Sequence, residues 1–179
     1  MSYEYITEDE SSIKKNEYDY STIIATTEAI AYLVQYCDNV YKQFISLIEE
    51  DKKRNEQFKL EYRKYNFKKV YNERFEVYIR EKNYSTITCK DFASFQSAVN
   101  DGDLTNVGSL EIKLEMDFER GISDELVEHK NLFAIIFRPY EIKFTRISSH
   151  NEAIMNQIEN NINKILNKFQ SVNTIFCTK

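Results

Sequence analysis

Two histidines, His129 and His150, three cysteines, Cys37, Cys89 and Cys177, and a run of spaced carboxylates are the side chains best suited to bond-making chemistry. A hydrolytic triad needs a histidine beside a nucleophile and an orienting acid. His150 falls at the start of a helical pattern and His129 in a connection between strands, so both read as solvated surface groups. The cysteines are odd in number, widely spaced and without a C-x-x-C pair, which argues against a disulfide framework. Reduced, mostly buried thiols are the reading, and Cys37 sits on an apolar helical seam where burial accounts for it. No H-E-x-x-H occurs. The acidic run NDGDLTN at 100–106 has no glycine at the sixth position of a calcium loop. Three glycines are too sparse to cradle a phosphate. The sequence therefore predicts no metal, no nucleotide or covalent cofactor, and no enzyme activity.

Two charged features are left. Glu111, Glu115 and Asp117 alternate with Leu110, Ile112, Leu114 and Met116, which places the acids on the wet face of one strand. A soluble sheet face explains them more simply than an acidic docking surface does. The second feature is Asp51–Asn83, where eleven Lys and Arg are interleaved with six acids. Single-strand binders combine a basic groove with aromatic platforms for the bases. Here Phe58 and Tyr65 continue a helical seam and Phe75 faces a core, so the aromatics are already used. Glu56 and Glu61 interrupt the cations, and the chain's net charge of −5 opposes a polyanion. Nucleic acid is disfavoured. Lys52, Lys53, Arg54, Arg63 and Lys64 read as a solvated or partner-facing helix flank, and with Glu111, Glu115 and Asp117 they are the candidate charged face for a protein partner.

The elements that must position these groups follow from periodicity. The 179 residues are 42% hydrophobic and 14% aromatic, enough for one cored domain. Residues 1–21 hold six acids against two lysines and read as an acidic, flexible lead-in. Residues 22–66 read as one long helix, with two helices joined by a bend as the alternative. Ile23, Ile30, Cys37 and Phe44 recur at seven, Leu33, Val40 and Leu47 hold the companion position, and Val34 and Tyr41 widen the seam. No apolar residue separates Ile48 from Phe58, but no helix breaker intervenes either. Such a helix is roughly 65 Å long, so part of it is expected to project with its seam in need of a partner.

Residues 67–179 read as a globular α+β unit. Strands are predicted around Phe75–Ile79, Tyr84–Cys89, Leu110–Phe118, Leu132–Phe137 and Tyr140–Phe144, with a short helix capped by Asp91. The segment from Gly121 to Asn131 reads as a connection with a turn of helix at Asp124–Glu128. A capping box at Ser149 and Glu152 starts a C-terminal helix lying on the sheet. The prediction is thus α+β: a long N-terminal amphipathic helix, a five-stranded, mostly antiparallel sheet with a short inserted helix, and a C-terminal helix.

A non-enzymatic interaction or assembly module follows from this reading, with the seam Ile23, Ile30, Leu33, Val34, Cys37, Val40, Tyr41, Phe44 and Leu47 mediating homo-oligomerisation or binding to another protein. A small inhibitor or immunity-type protein that blocks one target is the alternative, and a nucleic-acid accessory role is third. The acidic N-terminus is unlike a signal peptide, and the longest apolar run, Leu132–Phe137, is too short to span a bilayer. The expected location is the cytoplasm, with no membrane partner.

Overall fold

A computed structural model describes residues 14–21, 26–61, 67–99, 104, 106–122, 125–139, 141–148 and 153–176. In chain order these form β1 (Lys14–Ser21), α1 (Thr27–Glu61), β2 (Phe67–Glu81), β3 (Thr86–Cys89), α2 (Phe92–Ala98), β4 (Val107–Ile122), β5 (Glu125–His129), β6 (Asn131–Arg138), β7 (Glu141–Ser148) and α3 (Ala153–Phe176). The chain is α+β. One antiparallel sheet runs in the order β1-β7-β6-β4-β2-β3, with β5 pairing β4 beyond the end of β6. The helices cover one face.

Two strands were not expected. Where charge predicts a frayed lead-in, Lys14–Ser21 is an edge strand paired with β7 from Lys14↔Ser148 to Ser21↔Glu141. The acids hid a period of two: Tyr18 and Tyr20 turn inward, while Lys15, Glu17 and Asp19 point to solvent and blunt the edge. Residues 1–13 lie outside the described residues. The second addition is β5. Gly121 reads as a break, yet β4 continues through it, and Gly121 pairs with Leu126. Sheet pairing supplies the hydrogen bonds that a glycine's weak strand preference does not. Instead of a turn of helix at Asp124–Glu128, the chain returns as β5. Both β5 and β6 lie along the same edge of β4, and Asn131 marks the step between them. Its backbone N–H donates to the Asp117 carboxylate at 2.7 Å, and its Nδ2 donates to the Met116 carbonyl at 3.3 Å.

α1 is a single helix, as the absence of a breaker implies. The seam gap is bridged by a Glu50–Arg54 pair at 3.7 Å, worth a few tenths of a kcal/mol. Its 35 residues are roughly 53 Å long. β2 and β4, at 15 and 16 residues, run roughly 50 Å. The helix therefore does not project alone; it lies back along the β2–β4 pair. At the far end the Tyr71 hydroxyl donates to Asp51, and the Lys52 ammonium sits 5.4 Å over the Tyr71 ring.

A single core joins α1 to the sheet. Phe75, Val77 and Ile79 of β2, Leu110–Met116 of β4, Phe133–Phe137 of β6, and Ile142 and Phe144 of β7 alternate inward. They meet Leu33, Val34 and Cys37 of α1 and Ile158, Ile162 and Leu166 of α3. Each fully buried aliphatic side chain contributes about 1.5–3 kcal/mol. α2 closes the β3 end, its Asp91 cap accepting from the Ser94 N–H at 2.6 Å. The Ser149 and Glu152 capping box lies outside the described residues, which resume with α3 at Ala153.

Candidate interaction surface

The predicted docking seam faces inward. Ile30, Leu33, Val34 and Cys37 are buried, with Val40, Tyr41 and Phe44 packed partly buried beside them. Tyr41 lies against Phe75 with ring centroids 6.0 Å apart. Ile23 falls outside the described residues. The seam's partner is this chain's own sheet, with α2 and α3, because β2 and β4 are long enough to cover it. Leu47 is the exception among the described seam residues, at 54% exposed.

A different stripe of α1 borders solvent, with Tyr36 half-buried within it. Tyr32, Tyr36, Asn39, Gln43 and Leu47 recur at spacings of four, three, four and four, one row along a helix. Tyr32 is 58% exposed, and across from Leu47 on α3 stands Ile154, 57% exposed. Between the two helices lies a groove of about 360 Å³. Phe44, Met116, Met155 and Ile158 line it along with Val40, and Gln43, Gln157, Asn39 and Asn161 edge it. None of its twelve lining residues carries a charge, in a chain that is 30% charged. Depletion of charge with aromatic and Met enrichment is what sets interface cores apart from ordinary surface. Tyr36 and Asn161 both line the groove; burial pushes the Tyr36 phenol pKa up, and the Asn161 side chain works in the opposite direction. The amides hid this stripe in the sequence, since a search for apolar periodicity finds only the inner seam.

The charged residues do not form one face. Lys52, Lys53 and Arg54 are exposed on α1, which covers the inner side of the sheet. Glu111 and Glu115 alternate with the buried residues of β4 and so lie on the opposite side. Asp117 is tied to the Asn131 backbone. Arg63 and Lys64 lie outside the described residues. On the outer side charges compensate locally: Lys113–Glu115 at 2.9 Å, Arg74–Glu76 at 3.3 Å, Lys143–Glu141 at 3.4 Å and Arg138–Glu141 at 3.5 Å. A shallow depression there, also about 360 Å³, is bordered by Tyr78, Arg80, Glu111, Lys113 and Arg138.

The sequence reading missed a buried polar network beneath α3. Arg146 of β7, with a side chain 2% exposed, pairs through Nη1 with Glu159 and also donates to Asn156 at 2.6 Å. Tyr18 and Asn16 of β1 donate to the other Glu159 oxygen at 2.6 and 3.0 Å. Tyr20 donates to Asn163 at 2.5 Å. Burial by itself raises the Glu159 pKa, but hydrogen bonds from Tyr18, Arg146 and Asn16 and the guanidinium charge outweigh it and hold the carboxyl below its usual range. Donation to Glu159, with burial second, pushes the Tyr18 phenol up. The signal in the sequence was Asn16-x-Tyr18-x-Tyr20, polar tips on one face of a strand.

A second buried carboxylate, Asp38, accepts from Lys42 at 2.6 Å. Beside it the Cys37 thiol is pushed up to about 12, first by burial and then by the Asp38 charge. Burial also raises Cys89. Thiols held protonated in this way are poor nucleophiles and poor metal ligands. Among the described residues no three His, Cys, Asp or Glu groups are placed to hold a metal. No described helix is long and apolar enough to cross a membrane.

Fold and surface together define an α+β protein with an uncharged groove between two helices and a charge-compensated sheet face. No protein-family model matches the chain, and the comparisons found no curated protein and no solved structure similar to it.

Proposed function

We propose that this chain is a non-enzymatic protein-interaction module that docks through the α1–α3 face. The observation that carries this is the uncharged groove flanked by Leu47 and Ile154, each more than half exposed. Large exposed aliphatics beside a groove are costly in water and gain on being covered. The inner seam is used within the fold, so the role assigned to it passes to the outer stripe. Free, buried Cys37 and Cys89 fit the reducing cytoplasm, where we place the protein.

A blocking protein that uses its sheet face is the second reading, favoured by Arg80, Lys113 and Arg138 around the outer depression. It is weaker because Lys113 and Arg138 are already paired to acids. Nucleic acid has less support, since Lys52 covers the Tyr71 ring that a base would need.

Photo-crosslinking separates the surfaces. A benzophenone side chain at Gln43 should give a protein adduct in host lysate or in the purified chain, while the same group at Lys143 on the outer sheet face should not. Adducts from Lys143 alone would transfer the function to the sheet.

A further inference from the structure

We infer that the occupant of the α1–α3 face is a second copy of this chain, seated antiparallel across the outer stripe of α1; this rests on the docking reading above. Positions equidistant from the point between Asn39 and Val40 are chemically matched. Tyr32 of one copy then meets Leu47 of the other, Tyr36 meets Gln43, and the two Asn39 amides meet at the axis. Aromatic faces aliphatic, and amides, which both donate and accept, are self-complementary. An isologous pair needs this property of a single surface.

Charge argues the same way. Two chains of −5 each repel unless their contact is neutral, and the stripe carries no charged residue between Glu28 and Glu50. At the ends Glu28 of one copy comes beside Lys53 and Arg54 of the other, and Glu50 is already engaged by its own Arg54 at 3.7 Å. Tyr32, Leu47 and Ile154, three of the four large hydrophobics exposed among the described residues, are covered together. The stripe spans roughly 22 Å of helix, and with α3 alongside the face is about 20 Å wide. That is roughly 450 Å² per copy against about 800 Å² in a standard interface, so the dimer is weak and concentration-dependent.

Sedimentation equilibrium of the purified chain from about 10 μM to about 1 mM tests this. The expected result is a monomer–dimer equilibrium that Leu47→Glu and Tyr32→Lys each weaken at least about tenfold. Both residues are exposed, so each variant's thermal melt should match wild type and exclude unfolding. The double variant Tyr32→Lys/Leu47→Glu sets opposite charges across the axis and should recover association. No recovery in the double overturns the antiparallel pairing. A wild type monomeric throughout overturns the second copy as occupant, and Gln43 adducts formed only in lysate then preserve the docking reading. Absence of Gln43 adducts from both lysate and purified chain overturns that reading as well.

Discussion

The inner face of the sheet is two surfaces. Under α1 the side chains of β2, β4 and β6 are aliphatic or aromatic, and Leu33 and Val34 enter that layer with no exposure at all. Under α3, toward β7 and β1, the same face carries Arg146, Asn16 and the phenol tips of Tyr18 and Tyr20, answered by Glu159, Asn156 and Asn163. One half is held by area removed from water, which tolerates small shifts in register. The other is held by directional bonds around a desolvated charge pair, which do not. The difference teaches that α1 is fixed by shape, whereas α3 adds a set of directional partners to its own buried Ile158, Ile162 and Leu166.

Removing one partner from the polar half is the most severe way to break the comparison. Arg146→Met leaves the Glu159 carboxylate buried without its cation and should cost about 3–5 kcal/mol. Arg146→Met/Glu159→Leu replaces the pair with apolar groups and should be closer to wild type than the single variant. Urea unfolding midpoints measure both, and a double variant no better than Arg146→Met would mean that the network does more than neutralise a charge.

The apolar half should respond less steeply and without dependence on a partner. Leu33→Ala at a fully buried site of α1 should cost about 2–5 kcal/mol through lost transfer energy and a residual cavity. A calorimetric melt with a loss below about 1 kcal/mol would show that the α1 layer can collapse onto the gap.

Acid should expose the smallest difference. Glu159 has a folded-state pKa below its unfolded one. Its contribution is therefore complete above the ordinary glutamate value of about 4.3 and is lost as pH falls through the depressed folded value. Wild-type stability should drop in that window, and Glu159→Gln should flatten the drop while leaving the slope from other carboxylates such as Asp91. Equal slopes for the two proteins between pH 5 and pH 2 would remove Glu159 from the acid response.

The apolar half and the helix that covers it were legible without coordinates. Ile30, Leu33, Val34 and Cys37 at helical spacing, and Leu110 to Met116 at a period of two, are local patterns, and burial of one face follows from them wherever the partner comes from. The α+β class, the Asp91 cap and the C-terminal helix were read on the same grounds. What covers the seam was not legible, because it depends on β2 and β4 running far enough to match a 35-residue helix, and strand length is set by pairing between segments distant in sequence. The strands Lys14–Ser21 and Glu125–His129 are likewise decided by their neighbours: a charged edge, and a short strand that pairs with β4 across Gly121, have little intrinsic preference and form where a ladder is offered. The Arg146–Glu159 pair joins residues thirteen positions apart on different elements, and Tyr18 reaches it from across 141 positions. Local sequence determined which faces are apolar. Only the tertiary structure decided which of those faces is spent inside the chain, and so left Tyr32, Leu47 and Ile154 outside, because burial is a property of pairs of surfaces and a sequence displays them one at a time.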